Sequence, residues 1–297
     1  MRRREPGRDQ LLGFALLTPT LVLFLLLIGY PLVYSLVLSL QDTNTLTLAG
    51  HFVGLSNFRE IFADDEFWTA FVHTLIWTGG TLALQLVLGI GMALLLHGPL
   101  FGRGLARGLV LFPYLLPTAV AVLVWRWLFN DLYGCLDYLL VTSGIVAHPV
   151  PWLSRNPDAM ISVIVVGAWK FFPFVVIAVL ARLQSIPESL YEAARVDGAS
   201  PFAQFWDITL PQLSGVLAIV ILLRSIWDFK EFDLVYLMTG GGPGTSTETL
   251  PILVYREAFQ LLSFGRGAAI AVAMLAFLLL IFGLYVGLSR RLEERGQ

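Results

Sequence analysis

Charge is scarce in this sequence. Asp, Glu, Lys and Arg make up 13% of the 297 residues, 57% are hydrophobic and the mean hydropathy is +0.77, far more apolar than a soluble domain of this length needs to fill a core. The bilayer is therefore the expected solvent. Cysteine is nearly absent: Cys135 stands alone, which excludes an internal disulfide framework. A net charge of −2 leaves no basic surplus to neutralise phosphates, so nucleic acid is not an expected partner. Lysine is limited to Lys170 and Lys230, followed by Phe171 and Glu231. A phosphate-cradling loop needs a Gly-Lys-Ser/Thr step, and neither lysine supplies one. His51, His73, His97 and His148 lie far apart with no pair at i, i+4, so no metal site is expected and each reads as an isolated loop or interface histidine. No clustered nucleophile and base suggest an intramembrane enzyme.

What the chain does have is long apolar runs. A hydrocarbon core of ~30 Å is crossed by roughly 20 helical residues, and six runs of that length lie near 11–40, 71–96, 105–129, 159–183, 213–237 and 268–288. The expectation is an all-α membrane protein, one transmembrane domain over 1–297 with six spanning helices. Pro19, Pro31, Pro113, Pro117 and Pro173 fall inside these runs; membrane helices tolerate proline because neighbours re-satisfy the freed carbonyl. The first run follows Arg2, Arg3 and Arg4 as a secretory signal would. It is longer than the ~7–15 residues of a signal core and no small-residue cleavage site follows, so an uncleaved span is expected.

Basic residues set the orientation. With the N-terminus inside, the inner segments hold Arg2, Arg3, Arg4, Arg8, Arg103, Arg107, Arg182, Arg195, Arg290, Arg291 and Arg295, and the outer loops hold Arg59, Arg155, Arg256 and Arg266. Eleven against four satisfies the positive-inside rule. Both termini, and the loop 186–211 between the fourth and fifth spans, are then cytoplasmic.

That loop contains YEAARVDGASPFAQFWDITLP, Tyr191 to Pro211. Pro187 suits a first helical position, Leu190, Ala193 and Ala194 share one side, and Gly198 can take the left-handed conformation that ends a helix. Ser200-Pro201 restarts one, Phe202, Phe205 and Trp206 give it an apolar stripe, and Pro211 marks the start of the fifth span. A small-sided helix flanked by Glu192 and Arg195 suits a cleft on another protein, where close approach and a few charges give specificity. The alternative is an amphipathic helix resting on the inner leaflet, but such helices pair bulky apolar residues with Lys or Arg.

Glu192-Ala193-Ala194, Gly198, Ile208, Leu210 and Pro211 resemble, at matching spacings, the EAA motif of permease subunits from bacterial binding-protein-dependent ABC importers. Four further stretches resemble the carbohydrate branch, the maltose and glycerol-3-phosphate type: GLSNFREIF, WRWLFN at Trp125–Asn130, SIPESLYEAARVDGA at Ser185–Ala199 and TGGGPGTSTETL at Thr239–Leu250. The resemblance covers roughly Gly54 to Arg290; Ser214 departs from it, since many relatives have proline there. It implies a type I importer fold in which the EAA loop is a coupling helix seated in a groove of a cytoplasmic ATPase. The coupling set is then Glu192 as charged contact, Ala193 and Ala194 as ridge, Asp197, Gly198 as bend, Leu210 and Pro211. It further implies ATP hydrolysis in a separate subunit, no cofactor on this chain with ATP and Mg on the ATPase, and a multi-pass protein of the bacterial inner membrane.

RSIWDFKEFD, Arg224 to Asp233, is the most polar stretch of the fifth run. At ~1.5 Å per residue from Pro211, Arg224 falls near mid-bilayer and Glu231 near the outer edge. Arg224, Trp227, Asp228 and Glu231 follow i, i+3, i+4, i+7 and share a face. One reading is a translocation pathway, with the Trp227 ring on a sugar face and charged groups on hydroxyls. The other is structural: Arg224–Asp228 as a local pair against a partner helix, with Lys230, Glu231 and Asp233 as solvated interfacial charges, a reading favoured for Lys230 and Asp233. The resemblance implies that Phe171, Phe174, Arg224, Trp227, Asp228 and Glu231 face the substrate cavity, with charges where the maltose-type relative has small or amide side chains. Lys170 has two open readings, neutralising Asp228 or Glu231 across the cavity or snorkelling toward an interface.

Six spans with one coupling loop and no internal duplicate make half a channel. The resemblance implies a second, homologous permease, usually a different chain, with two ATPases and an extracytoplasmic sugar-binding protein. Gly283 and Gly287 form a small-xxx-small pair for helix packing. The competing class is an ion-coupled secondary transporter, which would not need a cytoplasmic docking helix and would show discontinuous spans in repeated halves.

Overall fold

The computed structural model describes residues 6–43, 50–99 and 101–295; Arg2, Arg3 and Arg4, counted above for orientation, lie outside the described residues. The chain divides into two compact units, Met1–Asp65 with Leu253–Phe277, and Glu66–Ile252 with Leu278–Gln297.

The first unit opens with helix α1 (Pro6–Phe24), a π-helical segment (Leu25–Gly29) and helix α2 (Tyr30–Ser39). Gly13–Ser39 is long and apolar enough to cross a membrane. Its large side chains, Phe14 to Val37, are mostly exposed, as a helix solvated by lipid allows. Strands β1 (Gln41–Thr43) and β2 (Gly50–Phe52) pair antiparallel, and helix α3 (Ser56–Ala63) follows. Buried Asn57, from the GLSNFREIF stretch, donates to the carbonyls of Ser39 at 2.9 Å and Gln41 at 3.0 Å, fastening α3 to the end of α2.

The second unit contains α4 (Asp65–His97), α5 (Arg103–Leu115), α6 (Thr118–Leu128), α7 (Cys135–Thr142), α8 (Asp158–Leu183), α9 (Glu188–Val196), α10 (Pro201–Gln204), α11 (Leu210–Phe229) and α12 (Asp233–Thr239). Helices α4 and α8 approach at two glycines. A Cβ on Gly89 would lie 2.6 Å from Val175 Cγ1, and one on Gly167 would lie 2.9 Å from Trp77 Cζ3. Small residues at a crossing let membrane helices close together without a hydrophobic drive. Apolar clusters form at both ends of α8: Trp77, Val122, Val163, Val166 and Leu234 at one, and Val176, Val179, Leu183, Leu213 and Val220 at the other.

Two of the predicted spans differ in shape. The third is broken: α5 and α6 meet at 96° around Leu116 and Pro117. Pro117 offers no N–H and pushes Leu116 to extended geometry, φ −66° and ψ 137°. The fifth begins at Pro201, twelve residues before the apolar run, and ends at Phe229 instead of 237. A π-helical segment (Phe205–Thr209) joins α10 to α11, and such a turn accommodates Pro211 without stopping the helix. Charged Lys230 closes α11, so Asp233–Leu237 belongs to α12.

Helix α13 (Leu250–Tyr255), a π-helical segment (Arg256–Gln260) and α14 (Phe264–Arg295) complete the chain. Within the first unit Arg266 forms ion pairs with Asp64 and, at 3.4 Å, with Glu257. Among the described residues five helices are long and apolar enough to span, six when the bent pair counts as one span. Among the described residues, a Cβ on Gly283 or Gly287 would meet nothing within 4 Å.

Candidate functional site

Two polar constructions stand out in the second unit. The first is the loop after α8. Pro187 caps α9 in extended geometry, and α9 buries none of its residues. Glu192, Ala193, Arg195 and Asp197 are exposed, Ala194 is half-buried, and Val196 is 87% exposed. Gly198 takes φ +80°, and the Gly198 and Ala199 N–H groups donate to the carbonyls of Arg195 at 3.2 Å and Ala194 at 2.8 Å. A left-handed residue closing a helix in this way suits glycine, which has no Cβ to clash. The next helix is capped by Ser200, whose Oγ accepts from the Ala203 N–H at 3.2 Å.

From Pro201 the helix runs to Phe229, 29 residues without a stop. Leu210 and Pro211 lie inside it, half-buried and exposed, instead of at its start. Tyr191 Oη and Thr209 Oγ1, 3.0 Å apart, strap α9 to this helix, and Gln204 Nε2 donates to the Ala199 carbonyl in the intervening turn at 2.9 Å. Arg182, at the end of α8, donates through Nε to the Gln212 carbonyl at 2.9 Å and through Nη2 to its Oε1 at 2.7 Å. Ser214 Oγ donates to the Pro211 carbonyl at 2.7 Å. A cleft of about 730 Å³ beside α9 is lined by His97, Arg103, Tyr191, Arg195 and Gln204, among others.

The second construction lies toward the other end of α11. Arg224 and Asp228, 3% and 1% exposed, form an ion pair one turn apart. Gln85 of α4 bridges them, its Oε1 accepting from Arg224 Nε at 2.7 Å and its Nε2 donating to Asp228 Oδ2 at 3.1 Å. Trp77 Nε1 donates to the Asp228 carbonyl at 2.8 Å. Buried charge is tolerated when both ions are paired and their remaining groups are hydrogen-bonded, which is the arrangement found. The guanidinium also lies 4.5 Å from the Phe171 ring centroid and 5.6 Å from that of Trp227. Phe174 meets Trp227 edge-on at 5.1 Å. Phe171, Phe174, Trp227 and Glu231 remain partly exposed. Glu231 lies beyond the end of α11, off the helical face expected for it, and its Oε1 accepts from the Leu234 N–H at 3.1 Å, capping α12.

The sequence reading missed Gln85 and Trp77. Gln85, fully buried, carried a usable signal as a lone amide in an apolar run; Trp77 reads as one more apolar residue. The TGGGPGTSTETL stretch is a packed turn. Thr247 Oγ1 donates to the Gly242 carbonyl at 2.8 Å, Thr74 Oγ1 accepts from the Leu250 N–H at 2.8 Å, and Gly241 takes φ +96°. Among the described residues no group of three or more His, Cys, Asp or Glu is arranged to hold a metal.

Residues 85–294 match the family model described as the binding-protein-dependent transport system inner membrane component. The chain belongs to this family. It is 34% identical over 283 residues to the trehalose/maltose transport system permease protein MalF of Thermococcus litoralis, with 95% of each chain covered. It is 36% identical over 285 residues to the sulfoquinovosyl glycerol transport system permease protein SmoG of Agrobacterium fabrum, covering 95% of this chain and 91% of that one. Its fold matches a chain in the crystal structure of a bacterial alginate ABC transporter complexed with an alginate pentasaccharide-bound periplasmic protein, with a TM-score of 0.82, 23% identity and 96% of each chain covered. As an inner membrane component of this family, the chain is a multi-pass membrane subunit of an ATP-driven transporter, and ATP is hydrolysed on a separate subunit. A binding protein and an ATPase are its partners in general terms. Nothing in the family speaks for the ion-coupled alternative.

Proposed function

We propose that the chain forms half of the translocation pathway of a sugar importer, receives its substrate from an extracytoplasmic sugar-binding protein, and is driven through α9. The observation that carries this reading is a helix that buries none of its residues, exposes Glu192 and Ala193, and is tied to a membrane-spanning helix by Tyr191 and Thr209. A helix whose ridge its own chain leaves uncovered is suited to be covered by another. The relatives named for trehalose/maltose and sulfoquinovosyl glycerol supply the substrate class. Glu192, Ala193, Ala194, Asp197 and Gly198 form the docking surface, and Leu210 and Pro211 lie in the span it drives.

The pathway wall is Phe171, Phe174, Trp227 and Glu231, with aromatic faces for sugar rings. Burial of Arg224 and Asp228 favours a structural duty for that pair, holding Trp227 in place behind the wall. The complete transporter pairs this chain with a second homologous permease, two ATPases that carry ATP and Mg, and the binding protein, with N- and C-termini in the cytoplasm. ATP binding biases inward-facing against outward-facing forms because contacts at α9 differ between them. Uptake of radiolabelled sugar by cells expressing the system tests the reading. Uptake should stop when the partner ATPase is omitted from the expressed system, or when ATP is depleted while the ion gradient is held; uptake that survives both overturns it.

A further inference from the structure

Lys170 has no place in the sugar-facing wall, yet it is only 3% exposed in the middle of a span. A buried ammonium must find acceptors. Among the described residues its Nζ donates to the Leu116 carbonyl at 2.7 Å. Leu116 is the residue at which the third span breaks, with Pro117 after it and 96° between the helices on either side. The first backbone bond of the outgoing helix runs from the Ala121 N–H to the Pro117 carbonyl at 3.1 Å, one residue past Leu116. A carbonyl left at the C-terminal end of a helix carries the negative end of its dipole, and a cation there is favourable. In a hydrocarbon setting water is a poor substitute for it.

We propose that Lys170 is a positioning residue for transport, whose ammonium on the Leu116 carbonyl fixes the bend of the third span. The two arms of that span have separate tasks. The first arm, α5, packs on α8, and the second, α6, packs on α12. On α6, Trp125 meets Trp169 edge-on at 5.3 Å, and Arg126 Nη1 donates to the Leu237 carbonyl at 3.3 Å. Lys170 therefore sits between Trp169, which faces the second arm, and Phe171, which faces Arg224, with its Nζ 5.6 Å from the Phe171 ring. One residue sets the angle between the arms and anchors the strip of α8 that supplies Phe171 and Phe174. Loss of the ammonium frees the bend and shifts both.

The inference rests on the transport function proposed above, and the test separates the two. In the assembled transporter reconstituted in proteoliposomes loaded with ATP, with Cys135→Ser as background, spin labels at Leu109→Cys on α5 and Leu123→Cys on α6 report the bend as a distance distribution. Lys170→Met keeps the stem and removes the donor; it should shift or broaden that distribution and slow maximal uptake by about 10-fold while the half-saturating substrate concentration changes little, because an unsatisfied buried group destabilises the bend and not the sugar contacts. Lys170→Arg should restore both readouts. A Lys170→Met transporter with the wild-type distribution and uptake rate overturns the inference, and so does a Lys170→Arg variant as defective as Lys170→Met. The label distance does not depend on which substrate is carried, so an error in the sugar reading would leave it intact.

Discussion

At the scale of the residue, the informative contrast is between Asp228 and Trp227, neighbours in sequence with opposite burdens. Asp228 holds a buried guanidinium, an amide from Gln85 and, through its carbonyl, the Trp77 indole. Removing one partner of such a pair leaves an uncompensated buried charge and typically costs about 3–5 kcal/mol. Asp228→Ala should therefore lower the thermal unfolding midpoint of the purified complex and reduce its yield. Trp227→Ala, at a partly exposed ring, should leave the midpoint nearly unchanged and slow sugar uptake while ATPase activity stimulated by the binding protein persists. Equal midpoints for the two variants would return Asp228 to the pathway wall. The i, i+4 spacing made the Arg224–Asp228 pair legible in the sequence. Its third member was not, because Gln85 is 139 residues from Arg224 and only packing of α4 on α11 brings the amide between the charges.

At the scale of the element, α9 was readable because its signals are local: proline before it, alanines within it, and a glycine after it that takes the left-handed conformation. The extent of the next helix was not. Hydropathy begins the fifth span at 213, whereas the helix begins at Pro201 and continues through Pro211 by way of a π-helical turn; period and polarity give no warning of such a turn. Broken Pro117 and unbroken Pro211 show that proline alone does not decide continuity. Gly198→Pro cannot adopt φ +80°, since the ring holds φ near −65°, and Glu192→Lys reverses an exposed acidic group beside Ala193 and Ala194. Each should leave the protein inserted at wild-type abundance, as read by membrane immunoblot, and reduce coupled transport by about 10-fold or more, the range set by losing a charged interfacial contact. Wild-type uptake by either variant at matched abundance would show that α9 does not transmit work.

At the scale of the whole molecule, composition alone announced the solvent, and six apolar runs came close to the five or six spans found. The division into two units was not announced, because it depends on which segments meet and not on how oily each one is. Orientation remains a statement about charge asymmetry, and it can be measured. With Cys135→Ser as background, Val196→Cys, on a residue 87% exposed, should resist a membrane-impermeant maleimide in intact cells and react in inside-out vesicles. Labelling of intact cells would place α9 outside and remove the ATPase as its partner.

The uninterrupted run from Pro201 to Phe229 has a geometric corollary. At ~1.5 Å per residue its 29 residues measure ~43 Å. Pivoting such a rod by about 10° about one tip carries the opposite tip roughly 7 Å, close to the breadth of a pyranose ring. A nudge too small to disturb local packing at the foot of the helix is magnified by leverage into an aperture of molecular size at its head.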